Sequence, residues 1–415
     1  MNPSRRLLLQ GLGGLVGASL ARPARAAATT QERRFIFVVT DGGWDPLTAF
    51  APIFDSDYVQ MGSGAEPGRI GGIDFVDHAN RPSVRSFFER YGGQAAIING
   101  VSVPSVSHDV CRMLSFTGSS GGERADWPTL LGVSTAPTTL PSLVLSGPSF
   151  PGPYGVASAR VGSSGQLSSL LDASIYRYTD TPITTLPRGY DTDVDALLDA
   201  RIGALSGRLG ANSTLGAAFT DAHARLKELR SFRNVDLSAI WDQSSRIDLA
   251  VQALGAGLSR CVSLTTDGYY GTWDSHTDNE DTQSFGFELL FSGLLDLMEG
   301  LANTNDPDGV PLIDTTVIVA LSEMGRTPTY NSSDGRDHWP FTSVLLAGAG
   351  VAGDQVISRF DEGYYGVGYD PDRGVEDETA PALTPEHIGA TLLALAGVDP
   401  TDALPAVSPI ARLLG

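Results

Sequence analysis

The chain has 415 residues, 41% of them hydrophobic and 18% charged, with a formal net charge of −20. The hydrophobic share supplies a sizeable core and excludes a disordered polyelectrolyte, and the acidity argues against nucleic acid or an anionic membrane surface as a partner. Lys227 is the single lysine among 28 basic residues, and two cysteines, Cys111 and Cys261, allow at most one disulfide.

Residues 1–26 read as an address. Ser4-Arg5-Arg6-Leu7-Leu8 is a twin-arginine pattern, the apolar run Leu7–Ala21 is short and glycine-rich, and Ala24-Arg25-Ala26 is a small-x-small cleavage site. The expectation is a Tat signal peptide and a periplasmic or secreted protein. A membrane anchor is the other reading, but the run is short for a span. No other stretch approaches about 18 uninterrupted apolar residues, so no stable membrane span is expected after cleavage.

Further along, Arg33–Thr40 is a β-branched and aromatic run ending in Asp41-Gly42-Gly43. It predicts a central parallel strand with Asp41 at its carboxyl end. Ala95–Ile98 predicts a second buried strand running into an Asn99-Gly100 turn, and Pro141–Leu145 a third. Met61–Gly72 and Ser146–Gly165 are rich in Ser and Gly and read as surface loops. Apolar spacing predicts helices over Asp193–Leu209, Leu215–Leu229 and Leu237–Leu258, so that 190–260 reads as a helical insertion or cap. A further helix is predicted over Ser284–Leu301, strands over Thr316–Leu321 and Thr342–Leu346, and a last helix opened by Thr384-Pro385-Glu386. Alternating strands and helices over 33–415 imply one α/β domain, a mostly parallel sheet covered on both faces.

Ligands of open α/β sheets bind beyond the carboxyl ends of strands. Polar clusters fall at such places: Asp41, His108-Asp109, Glu323, and Asp337-His338, with Asp274-Ser275-His276 ahead of a helix. Divalent cations need oxygen and imidazole ligands converging from several loops, and Asp-x-His puts two of them on one side of an extended segment. Taken singly, each cluster also reads as a solvated loop; their shared placement favours a metal site. Trp44, Trp127, Trp273 and Trp339 neighbour these loops and read as packing that walls the site, with sugar stacking as the alternative. Asn303–Gly309 and Asp370–Glu378 read as solvated turns, His78, His223 and His387 as surface or boundary residues, and Cys111 as a buried thiol.

The order of motifs carries a resemblance. Gly271-Thr272-Trp273-Asp274-Ser275-His276 is followed by Asp314–Val319, by Ser322-Glu323-Met324-Gly325-Arg326-Thr327-Pro328, by Gly335-Arg336-Asp337-His338-Trp339-Pro340, and by Leu346–Val351. This resembles the DUF1501 family of exported bacterial proteins, related to the alkaline phosphatase and sulfatase superfamily. The resemblance implies a three-layer α/β/α sandwich, alkaline phosphatase-like, with divalent metal at the strand ends. It implies Asp41, Asp274, His276, Glu323, Asp337 and His338 as metal ligands. The stretch Ser107–Gly118 resembles the nucleophile helix that ends in Thr-Gly. There the nucleophile position is filled by His108, with Ser107 beside it, and Ser322-Glu323 replaces an Asp-His pair. The second change weakens a two-zinc site and leans toward one metal, or toward Mn²⁺ or Ca²⁺ in place of Zn²⁺.

Two functions follow as expectations. The first is an exported metal-dependent hydrolase of phosphate- or sulfate-type esters on a small molecule or glycan, with His108 or Ser107 as base or nucleophile and Asp109 or Arg112 holding the oxyanion. The second is a non-catalytic periplasmic binding or assembly protein with a degenerate metal site.

Overall fold

Arg34–Thr40 (β1) is buried along nearly its whole length because it lies inside an eight-stranded sheet of a computed structural model. The structure describes residues 32–134, 138–161, 174–175, 183–184, 191–210, 213–229, 232, 242–268 and 272–415. The leader, Gly271 of the first motif and parts of the 146–165 and 190–260 stretches lie outside the described residues.

The other strands of the sheet are β2 (Ala95–Ser102), β3 (Leu140–Val144), β4 (Ser158–Arg160), β5 (Ser259–Thr266), β6 (Thr316–Ser322), β7 (Phe341–Gly348) and β8 (Gln355–Ile357). Their order is β8-β2-β7-β6-β1-β5-β3-β4. Every neighbouring pair is parallel except the two that β7 makes, with β6 and with β2. This is the mostly parallel sheet that the sequence predicts, with one reversed strand inside it.

Alternate residues of β1 enter different layers, as a strand's two-residue period requires. Ile36 and Val38 pack with Phe87 and Phe88 of α2 (Pro82–Tyr91), with α7 (Gln243–Gly255) and with α8 (Asn279–Asn303). Phe35, Phe37 and Val39 pack with Phe116 of α3 (His108–Thr117), Trp127 of α4 (Trp127–Val133) and Ile388 and Leu392 of α9 (Pro385–Leu395). Helices on both faces make the three-layer α/β/α sandwich. Asp126, Asp242 and Thr384 cap the starts of α4, α7 and α9. The remaining helices are the short α1 (Pro46–Ala49) and the pair α5 (Asp191–Leu209) and α6 (Thr214–Leu229). Glu32–Gly415 forms one compact unit, and no helix among the described residues is long and apolar enough to cross a membrane.

Several boundaries differ from the sequence expectation. Asn99-Gly100 is no turn: it lies within β2, where Gly100 takes a positive φ of 67° beside a register irregularity with β7. Met61–Gly72 is not wholly loop, because Glu66–Ile70 pairs with Ile73–Asp77 in a hairpin. The helix placed at Leu237–Leu258 runs from Gln243 to Gly255, packs on β5, and belongs to the sandwich. α8 starts at Asn279, five residues before the apolar pattern begins, because its start faces polar groups of the segment after β1: Asn279 donates to the Asp45 carboxylate and Gln283 to the Gly43 carbonyl.

Candidate metal centre

The carboxyl ends of β1 and β6 are level, Thr40 opposite Ser322, so Asp41-Gly42-Gly43 and Glu323 leave the sheet side by side. Glu323 is 2% exposed, and protein donors occupy both of its oxygens. Oε1 accepts from the Gly42 N–H at 2.9 Å and from His108 Nδ1 at 2.7 Å. Oε2 accepts from the Gly43 N–H at 3.3 Å and from the Ser322 hydroxyl at 3.0 Å. Glycine is needed at position 42: its φ is +126°, and a Cβ there would stand 2.5 Å from the Asp274 amide nitrogen.

His108 opens α3, one residue after the N-cap Ser107. With Nδ1 given to Glu323, its Nε2 faces Asp274 Oδ2 at 3.5 Å and has no hydrogen-bond partner, although it is buried. His338 arrives on a short ladder in which Gly325–Arg326 pairs with His338–Trp339. Its Nδ1 donates to the Val106 carbonyl at 2.8 Å. His276 Nδ1 bonds the Asp337 carboxylate at 2.9 Å. The three rings therefore each turn Nε2 toward Asp274. The Nε2 atoms of His276 and His338 are 3.0 Å apart, and they lie 3.3 and 3.4 Å from Asp274 Oδ1.

The donor set fits a divalent cation. When Nδ1 carries the proton, a neutral imidazole presents a lone pair at Nε2. Lone pairs facing each other and a carboxylate repel unless a positive charge lies among them. His108, Asp274 and His338 each offer a ligand atom within 4.8 Å of the others. The outer partners match as well, since ligating imidazoles usually donate their second N–H to a carboxylate or carbonyl, as these do to Glu323, Asp337 and Val106.

Electrostatics agree with the geometry. Burial opposes ionisation of Asp274 and Glu323, yet the Arg326 guanidinium holds Asp274 below its ordinary value and the His108 hydrogen bond does the same for Glu323. The bond to Glu323 raises His108. His276 lowers Asp337. The carboxylates are thus ionised and positioned before any ligand arrives.

Of the residues singled out in the sequence, Asp274, His276 and His338 lie together in the structure. His108, expected as nucleophile or base, joins them through Nε2. Glu323 and Asp337, expected as ligands, instead bond the far nitrogens of His108 and His276. Glu323 has no oxygen left over because two backbone amides and a hydroxyl claim it. Asp41 is also placed differently: its Oδ1 receives Nε and Nη2 of Arg112 at 2.7 and 2.6 Å, and Arg112 Nη1 reaches Asp109 at 2.8 Å. Ser107 is exposed at the helix start.

Arg326 was missed in the sequence. It is fully buried, bonds Asp274 at 2.6 Å, and also donates to the carbonyls of Gly42, Gly43 and Arg336. Its signal was its place three residues after Glu323 in the quoted motif. The Val106 carbonyl carried no signal at all, since a backbone acceptor has no sequence identity. Trp44, Trp127 and Trp273 are buried packing. Cys111 and Cys261 are free and buried.

The family model described as "Protein of unknown function (DUF1501)" matches residues 223–408. Among curated proteins none matches the chain. Similar solved structures include one on the metabolism of multiple glycosaminoglycans by Bacteroides thetaiotaomicron, at 9% identity and a TM-score of 0.43, covering 92% of this chain and 76% of that one. Others are the lipoteichoic acid synthase LtaP from Listeria monocytogenes (8%, 0.39, 88% and 72%) and the PsFucS1 sulfatase from Pseudoalteromonas sp. (10%, 0.38, 89% and 68%).

Proposed function

We propose that the protein, whose residues 223–408 match the DUF1501 family model, is an exported metal-dependent hydrolase of phosphate- or sulfate-type esters. One observation supports this reading above the others: ligand atoms of His108, His338 and Asp274 converge, His276 Nε2 adjoins His338 and Asp274, and each ring's Nδ1 is held by its own acceptor. His108, His276, His338 and Asp274 would hold one divalent ion. Such an ion, when bound, supplies Lewis acidity to a coordinated oxygen. Glu323, Asp337 and the Val106 carbonyl orient the rings, and Arg326 positions Asp274. Arg112 lies one turn after His108 on α3, which suits it to orient an anionic ester oxygen at the rim. Water is the attacking group in this reading. The Ser107 hydroxyl bonds nothing in the cluster, and both nitrogens of His108 have other roles. Export rests on the twin-arginine pattern of residues 1–26.

The deciding experiment is elemental mass spectrometry on the mature chain, residues 27–415, beside His338→Ala, followed by a panel of phosphate and sulfate esters. One ion per chain and ester hydrolysis, both lost in the variant, are expected. No bound ion after adding Zn²⁺, Mn²⁺ and Ca²⁺ would sink the proposal. A second reading, a non-catalytic binding protein with a structural ion, is favoured by the imidazole at the nucleophile position. Stoichiometric metal without hydrolysis of any ester would select it.

A further inference from the structure

A cavity of about 220 Å³ is lined by Arg81, Glu280, Asp281, Ser284, Tyr330 and Arg336 among others. Its wall holds two buried arginines in opposite circumstances. Arg336 is ion-paired: its Nε lies 3.3 Å from Asp45 Oδ2, and its Nη1 and Nη2 donate to the carbonyls of Thr327 and Gln60. Arg81 is not. It is 4% exposed, yet its one hydrogen bond runs from Nη1 to the Ser284 hydroxyl at 3.2 Å. Its Nε is buried without a partner, and its Nη2 has no hydrogen bond among the described residues. Asp45, Asp77 and Glu280 act on it only through space, none within ion-pair distance. Burial lowers its pKa to about 10.

A buried guanidinium without a carboxylate is unfavourable by several kcal/mol unless something pairs with it. Burial closes Nε off from the cavity and leaves Nη2 as the nitrogen that an oxyanion can reach, where a guanidinium N–H gives a charged oxygen a short, charge-assisted bond. The charge around it selects which oxyanion. Glu280 and Asp281 stand in the same cavity, and Glu280 Oε1 is already fixed by the Tyr330 hydroxyl at 3.0 Å and the Ser63 N–H at 2.7 Å. A doubly charged phosphate ester would meet more negative charge than Arg81 offsets. A monoanion bearing hydroxyl groups would neutralise Arg81 and donate to the two carboxylates.

We propose that this cavity binds a small hydroxylated molecule carrying one singly charged oxyanion, a carboxylate or a sulfate ester, held by Nη2 of Arg81. The site is separate from the metal cluster and does not rest on its occupancy.

Calorimetric titration of the full mature protein with D-glucuronate, glucose 6-sulfate and glucose 6-phosphate tests this, beside Arg81→Met and His338→Ala. Binding of glucuronate or the sulfate is expected. It should weaken at least tenfold in Arg81→Met and persist in His338→Ala, and whichever of the two binds identifies the oxyanion. Arg81→Met should also melt no lower than the wild type and keep its metal content, because it removes an unpaired buried charge. The proposal is overturned if none of the three binds, if glucose 6-phosphate binds best in an Arg81-dependent way, or if Arg81→Met binds the monoanions as tightly as the wild type. A markedly lower melting temperature in Arg81→Met would equally overturn it, by making Arg81 a structural strut.

Discussion

His108 Nδ1 lies 2.7 Å from Glu323 Oε1 across 215 positions of sequence, and that contact decides which nitrogen of the ring faces Asp274. A carboxylate accepts and cannot donate when ionised, so the proton sits on Nδ1 and the lone pair on Nε2. The Gly42 and Gly43 amides keep the carboxylate in place whether or not His108 is engaged.

Glu323→Gln should therefore keep the fold and loosen the metal. The amide preserves shape but loses the charge that fixes the tautomer of His108. Metal affinity should fall roughly 10–100-fold, the usual effect of losing an outer partner. Competition titration with a chelating dye measures it. Unchanged affinity would mean that His108 does not ligate.

Gly42→Ala should damage both stability and the centre. The backbone conformation alone should destabilise the variant by about 1–3 kcal/mol. The added methyl would also press on the Asp274 amide, 2.5 Å from the ideal Cβ position. Urea unfolding should show a lower midpoint, and metal content should fall with it. A variant as stable as the wild type would show that the loop after β1 has room to move.

Stability should decline in mild acid through His387. Its ring lies in the capping box of α9, where Nδ1 accepts from the Thr384 N–H at 3.1 Å, and burial lowers its pKa below the ordinary 6.5. The unfolded chain thus takes up the proton first. The contribution is whole above pH 6.5 and is lost as pH falls from there toward the folded value. Thermal melts between pH 5 and 8 of the wild type and His387→Gln should differ in slope below pH 6.5 and run parallel above it. Parallel curves throughout would remove His387 from the acid limb.

Neither cysteine should react while the protein is folded. Burial pushes Cys111 up to about 11 and Cys261 up to about 12. The thiolate is the reactive form, so a disulfide-exchange reagent at pH 8 should label both only after unfolding. Rapid labelling of Cys111 in the native state would show that its thiol is accessible and reactive in the fold.

Much of this architecture is legible in the sequence because it is local. Burial on both faces writes β1 and β6 as unbroken apolar runs, Thr384-Pro385-Glu386 announces α9, and Gly118 ends the helix that begins at His108 with a φ of 66°. Asp274, His276 and His338 stand out by chemistry and by their position beside predicted strands. What the sequence does not contain is the direction of β7. Had that strand run parallel to β6, the segment before it would have opened on the far edge of the sheet; reversed, it delivers His338 to the edge where β1 and β6 end. Nor does it contain the division of labour among carboxylates. Asp41, Glu323 and Asp337 look alike as acids near strand ends, yet Arg112 takes the first, two amides and His108 take the second, and His276 takes the third. A ligand is whichever lone pair is left over when these contacts are made, and they join residues up to 281 positions apart. Residue type is written locally, but the remaining valence of each side chain is settled only when distant segments compete for it in the folded chain.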